Sequence, residues 1–217
     1  MDYEVAKHSM VVSQLRTNAI TDEKVLEAFY KVDRQDFVPE NYKDAAYLDE
    51  DIPVVDARVV MEPLLAAHYI QSAAIKEDDQ VLVIAAGLGY ETALAYEFTN
   101  SVIAVEDNVT LRKQAEENLN NKSIDSIAFI NSVQNNEGAV EHAPFDAILI
   151  LGGVEELPET FLSQLREGGC LIYIERTGST GRLKKLTKKA QGVTEHIIRD
   201  AYVPILPGFE KEKVFTF

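Results

Sequence analysis

A single cysteine, Cys170, is present in this 217-residue chain, so an intramolecular disulfide framework is excluded. Cys170 opens the apolar run "CLIYIE" and reads as a packed residue rather than a nucleophile. Histidine is almost as scarce. His8, His68, His142 and His196 are scattered and form no H-x-x-x-H or C-x-x-C pair, so no metal site is expected. Basic residues are outnumbered, with 21 Lys and Arg against 36 Asp and Glu, a net charge of −15. A nonspecific grip on nucleic acid or on an anionic membrane would work against that charge. No apolar stretch approaches the roughly 20 residues that cross a bilayer. The start, "MDYEVAKHSM", lacks the apolar run of a signal peptide. The reading therefore expects a soluble, cytoplasmic protein. A G-x-x-x-x-G-K-[ST] motif is missing too, which excludes a P-loop.

What is present suffices for one substantial core, since 46% of the chain is apolar and 26% charged. "TDEKVLEAFYKV" offers Thr21 or Asp22 as a cap and sets Val25, Leu26, Phe29 and Val32 on one stripe, which predicts an amphipathic helix ending near Asp33. "RQDFVPENYKDAAYLDEDIPVV" reads as loop. Pro63 then opens a helix over "MEPLLAAHYIQSAAI", with Leu64, Leu65, Tyr69 and Ile70 buried and His68 a core or half-buried histidine. From residue 79 strands alternate with helices. "QVLVIAA", "SVIAVE", "SIAFIN", "FDAILILGG" and "CLIYIE" read as strands, while "TALAYEF", "LRKQAEENLN" and "PETFLSQLREGG" read as helices, the last closed by Gly168 and Gly169. The tail, "TEHIIRDAYVPIL" and "KVFTF", reads as an antiparallel pair. This alternation predicts an α/β fold, a doubly wound, seven-stranded, mostly parallel sheet with a C-terminal antiparallel strand. The chain is read as one domain, 1–217, with residues 1–75 forming an N-terminal helical cap and 76–217 the core.

Within the core, "VLVIAAGLGY" carries a strand into a glycine turn. Such a turn lies where open α/β sheets bind ligands, and Gly87 and Gly89 permit close approach to the backbone. Seventeen residues after Gly89 the second strand ends in Glu106 and Asp107, placed for a carboxylate to accept hydrogen bonds from a ribose diol. A nucleoside-type cofactor site and a merely structural turn both fit this spacing. In "YLDEDIP", Asp49 and Asp51 form either an acid/base pair or a solvated loop at the mouth of a site, the second being favoured. Arg58 reads as an attractor for an anionic substrate or as a solvated surface charge.

Taken in order, "MVVSQL", "VLEAFYKVDRQDFVP", "AAYLDEDIP", "MEP", "VLVIAAGLGYETALA", "APFDAILILGG" and "LPETFLSQLREGG" resemble the protein-L-isoaspartate O-methyltransferase family, S-adenosylmethionine-dependent enzymes with a Rossmann-like fold. The resemblance covers nearly the whole chain. "R-x-x-M-E-P", Arg58 to Pro63, and "LPGF", Leu206 to Phe209, are most similar to a divergent alphaproteobacterial branch. The resemblance implies that Ala85, Gly87 and Gly89 line the cofactor, that Glu106 binds its ribose, and that Ser132 and Val133 stand on its adenine side. It implies that Met61 occupies the position of the family's serine beside the transferred methyl, with Asp49, Arg58 and Glu62 on the substrate side. The chain departs from the family pattern at Val83 for an acid, Ala85 for a glycine, Ser132 for an aspartate and Met61 for the serine. Each change removes a polar handle or adds bulk.

A substrate carboxylate, with a reference pKa near 4, is already ionised at neutral pH. Methyl transfer to it needs alignment rather than a base. Met61 either weakens that alignment or fills the emptied place as an apolar plug. Two functions follow from the resemblance and its departures: methylation of the carboxylate of isoaspartyl residues in damaged proteins, or a non-catalytic binding or scaffolding protein on the same fold. The implied partner is an isoaspartyl-containing protein or peptide, with no nucleic acid, membrane or metal.

Overall fold

The computed structural model describes residues 2–130 and 134–211. Helix α1 (Tyr3–Ser9) starts on Asp2, whose side chain accepts the Val5 N–H, and runs on into a π-helical segment, Met10–Leu15, that buries Met10, Val11 and Leu15. Of the two capping candidates for the next helix, Asp22 is the one used: it accepts the Lys24 N–H and starts α2 (Glu23–Lys31), which buries Val25, Leu26, Ala28 and Phe29. The stretch read as loop contains more order than expected, two 3-10 turns (Arg34–Phe37 and Glu40–Ala45) and a small antiparallel hairpin, β1 (Ile52–Pro53) with β2 (Val59–Val60). Two-residue strands are too short to write an alternating pattern.

Helix α3 (Pro63–Ala73) opens on Pro63 as expected. The exposed donors of its first turn are met by the acid pair read as a solvated loop: Asp51 accepts the Glu62 N–H at 2.7 Å and Asp49 the Leu64 N–H at 3.2 Å. The two carboxylates thus cap a helix.

The core strands are β3 (Val81–Ile84), β4 (Val102–Val105), β5 (Ala128–Ile130), β6 (Phe145–Val154), β7 (Leu165–Thr177), β8 (Thr180–Lys189) and β9 (Gly192–Asp200), with α4 (Tyr90–Tyr96), α5 (Val109–Asn121) and α6 (Thr160–Gln164) between them. They form one seven-stranded sheet in the order β5-β4-β3-β6-β7-β8-β9. Strands β3 to β7 pair in parallel, and β8 runs antiparallel to both neighbours. The Rossmann-like α/β expectation is met. Strand order reverses at β3, which puts the glycine turn at the switch point of the sheet.

One helix needs correction, and one strand was not read at all. The helix expected over Pro158 to Gly169 shrinks to α6, because Leu165 pairs with Phe145 and joins β7, burying both side chains in the sheet. Strand β9 pairs antiparallel with β8, "TGRLKKLTKK", a lysine-rich strand that the sequence reading does not mark and whose apolar signal is only Leu183 and Leu186. "KVFTF" lies outside the described residues.

Period-two alternation divides the core between the two faces of the sheet. Val81, Val83, Val102, Ala104, Leu149 and Ile172 meet the amino-terminal helices and α4. Leu82, Ile84, Ile103, Val105, Ile148 and Leu171 meet Phe161, Leu206 and Phe209. The "LPGF" segment is therefore packing on the second face, where Phe209 stacks on Phe161 at 6.0 Å. Gly152 permits this: a Cβ there would lie 2.4 Å from the Leu206 side chain. Amino-terminal residues pack over the first face, and the buried Tyr69 hydroxyl donates to the Ile150 carbonyl at 2.8 Å. Tyr69→Phe is expected to lower stability by about 1 to 2 kcal/mol, the worth of one buried hydrogen bond. Denaturant unfolding measures it, and an unchanged midpoint would show that the bond contributes nothing.

Candidate functional site

The turn after β3 holds three residues in left-handed backbone, Ala85 (φ 59°), Gly87 (φ 56°) and Gly89 (φ 93°). Gly89 is also spatially constrained, since a Cβ would meet Ala115 and Leu119 at 3.4 Å. Gly87 has the opposite character. Although the residue is buried, a Cβ on it would find only the Ala85 carbonyl oxygen, at 3.9 Å. Open space thus lies beside its backbone, the kind of room a closely bound ligand takes.

The strand-end acid stands directly against this turn. Glu106 follows β4, is wholly buried, and accepts the Gly87 N–H at 2.9 Å and the Asn108 N–H at 3.0 Å. Arg58 fills the rest of the carboxylate, its Nε 3.1 Å from one oxygen and its Nη2 2.9 Å from the other. Nη2 also reaches Asp107 at 2.7 Å, and Nη1 donates to the Asp56 carbonyl at 2.9 Å. Arg58 is neither a solvated charge nor free to attract a substrate. Its side chain is 1% exposed, facing the strand-end acid Glu106 from the tip of the β1–β2 hairpin.

One residue on this side was not legible in the sequence. Asn135 is wholly buried, its N–H donates to Asp107 at 3.3 Å, and neither atom of its side-chain amide has a partner. A buried amide left unpaired costs about 1 to 3 kcal/mol for each unmet group, so the position suits a polar ligand beside Asp107. The only sequence signal was the polar run "QNNE" after the third core strand. Ser132 and Val133, the adenine-side positions implied by the resemblance, lie outside the described residues.

On the other side, Met61 is fully buried in the core shared by the amino-terminal helices and the sheet. Its N–H donates to Glu91 Oε1 at 3.1 Å. Glu91, the second residue of α4, was also missed, though an acid inside the apolar run from Tyr90 to Ala95 was the available clue. Burial pushes its carboxyl from the ordinary 4.5 up to about 7, against the pull of nearby Arg34. Arg34 is itself buried, donates to the Ala46 and Val60 carbonyls, and lies 4.9 Å over the Tyr90 ring. Glu62 is half-buried, and its carboxyl is raised by burial first and then by the charges of Asp49 and Asp51. Asp51 is raised by burial as well.

A cavity of about 650 Å³, lined in part by Lys43, Val54, Gln114 and Lys122, borders the turn through Leu88 without including Gly87 or Glu106. Cys170 is buried against the Ala73 carbonyl, and burial raises its thiol, which leaves it a packing residue. His68 is half-buried, with its pKa lowered by burial and by Arg199. No group of three or more His, Cys, Asp or Glu among the described residues is arranged to hold a metal ion.

Two outcomes follow from the buried groups. Between about pH 4.5 and 7 the folded chain keeps a proton on Glu91 that the unfolded chain releases, so stability falls as pH rises through that window. Glu91→Gln, which can still accept from Met61, is expected to be more stable than the native chain by on the order of 3 kcal/mol at pH 8 and nearly equal to it at pH 4. Melting curves at both values check this, and a difference independent of pH would refute it. Met61→Ser, by emptying a filled core position, is expected to cost about 2 to 4 kcal/mol. Denaturant unfolding checks it, and a loss below 1 kcal/mol would mean that the site collapses around the serine.

The chain is similar to known proteins in sequence and in fold. The chain is 33% identical over 192 residues to the protein-L-isoaspartate O-methyltransferase of Petrotoga mobilis, covering 88% of this chain and 90% of that one. It is 35% identical over 184 residues to the same enzyme of Opitutus terrae, covering 84% and 78%. A Plasmodium falciparum structure described as a protein-L-isoaspartate O-methyltransferase, in complex with S-adenosyl-L-homocysteine, superposes with a TM-score of 0.77 at 21% identity, covering 95% of this chain and 98% of that one. That likeness concerns the fold. The sequence profile of the protein-L-isoaspartate(D-aspartate) O-methyltransferase family matches residues 6–209, from the amino-terminal helices through the glycine turn to the "LPGF" segment, and the chain belongs to that family.

Proposed function

We propose that the chain is an S-adenosylmethionine-dependent methyltransferase acting on the carboxylate of isoaspartyl residues in damaged proteins or peptides, and that it works in the cytoplasm. The observation that carries this reading is the 2.9 Å hydrogen bond from the Gly87 N–H to Glu106, which joins the open-sided glycine turn and the strand-end acid into one cradle. Family membership over residues 6–209 supports it. So does the unpaired amide of Asn135 beside Asp107. Among the described residues no helix is long and apolar enough to cross a membrane.

When bound, S-adenosylmethionine supplies an electrophilic methyl group on sulfonium sulfur. Glu106 would offer the ribose hydroxyls the two acceptor positions that Arg58 holds here, Asn135 would offer a donor and an acceptor to the base, and Gly87 leaves its backbone open to close approach. On the substrate side, Glu91 holds the Met61 N–H, while Asp51 and Asp49 hold those of Glu62 and Leu64. This fixes the 61–64 segment where alignment matters. The nucleophile arrives ionised, so the chain's task is positioning and exclusion of water.

The Arg58 contact on Glu106 is the observation that favours the second reading, a non-catalytic relative with a closed pocket. Labelled methyl transfer to an isoaspartyl peptide, with its aspartyl isomer as control, separates the two. Transfer to the isoaspartyl peptide alone is expected; none to either peptide, at saturating cofactor, would favour the non-catalytic protein. Asn135→Ala is expected to weaken S-adenosylhomocysteine binding about tenfold, the worth of one hydrogen bond, without lowering the melting temperature of the free protein. An unchanged Kd would remove Asn135 from the site.

A further inference from the structure

We infer that Arg58 occupies the ribose position of the cofactor site, so that the cofactor binds only when the β1–β2 hairpin releases Glu106. The inference rests on the proposed cofactor reading and goes beyond it. A carboxylate has about four acceptor positions, and those of Glu106 are taken by two main-chain N–H groups, from Gly87 and Asn108, and by Arg58 Nε and Nη2. A guanidinium offers two parallel donors to a carboxylate, as the adjacent hydroxyls of a ribose do. The main-chain donors belong to the turn and to the start of α5. Only the Arg58 pair can leave.

The hairpin is built to let go. Its strands are two residues each, and Asp56 (φ 50°) and Ala57 (φ 59°) hold left-handed backbone without being glycine. Its tip is held by the Arg58 N–H on the Val55 carbonyl, by the Val54 N–H on the Arg58 carbonyl, and by Asp56 against the Asn108 side chain at 2.5 Å. Val55 and Asp56 are exposed. Release does not strand the arginine, because Asp107, its third acid contact at 2.7 Å, is partly exposed and remains within reach. Each charge keeps a partner in both states, the condition for a two-state element. Arg58 is thus a positioning residue that sets cofactor affinity by competition.

Calorimetric titration of S-adenosylhomocysteine into the native protein and Arg58→Ala tests this, together with hydrogen exchange on the native protein. The variant is expected to bind at least tenfold more tightly, and the 54 and 58 amides of the native protein are expected to exchange faster when the ligand is bound. Binding by the variant alone would be the same result in its strongest form. Equal or weaker binding by the variant would overturn the latch and leave the cofactor reading standing, as would protection or no change of the hairpin amides on binding. Failure of both proteins to bind would overturn the latch and the cofactor reading together. The exchange measurement needs no variant, so it decides the matter even if Arg58→Ala folds poorly.

Discussion

Burying a carboxylate is costly unless every oxygen is met by donors and the charge by a partner, and Glu106 satisfies that condition with donors from three separate segments. The hairpin contributes Arg58, the turn after β3 contributes Gly87, and the start of α5 contributes Asn108. The same Asn108 side chain caps α5 through the Thr110 and Leu111 N–H groups and touches Asp56 of the hairpin. Amino-terminal region, turn and helix are therefore tied to one point. Moving any of them takes donors from a buried carboxylate unless another group replaces them, which makes Glu106 both the anchor of the region and its most sensitive spot.

A second buried polar group organises the other side in a different way. Glu91 is met by the Met61 N–H and lies near Arg34, yet burial still outweighs both and keeps its proton affinity high. Arg34 is spent mainly on backbone, through the Ala46 and Val60 carbonyls, and on the face of Tyr90. These groups shape the 46–61 path of the chain more than they offer reactive chemistry. That division suits a reaction whose nucleophile arrives already ionised, where the fold must align rather than activate.

Family membership and local chemistry answer different questions. The profile over residues 6–209 places the chain among isoaspartyl methyltransferases, and a shared fold alone leaves the site to be argued residue by residue. Here the turn and its acid are assembled, while Met61 is sunk in the core and Arg58 lies across the strand-end acid Glu106. Both departures come from one short stretch, the hairpin and the start of α3.

Much of the architecture was legible because it rests on local rules: continuous apolar runs for buried strands, Pro63 at a helix start, and a glycine turn followed by a strand-end acid. Reading failed where the signal was short or the partner distant. The two-residue strands of the hairpin and the lysine-rich β8 write almost no pattern, and "PETFLSQLREGG" carries helical periodicity that sheet pairing from Leu165 onward overrides. The site divides along the same line. Its turn and its acid could be placed from spacing, whereas the acid pair that caps α3 reads in the sequence as a solvated loop. Arg58, 48 residues before Glu106, could not be paired with it, and Asn135 and Glu91 could not be recognised as buried. The sequence by itself determined the alternation of strands and helices from β3 to β6 and the end of the sheet at which the glycine turn stands, since both follow from periodicity and from the handedness of parallel connections. Only the tertiary structure decided who meets the buried carboxylate, because a desolvated charge takes its partner from whatever segment the fold brings within 3 Å, and that nearness is written nowhere in the local sequence.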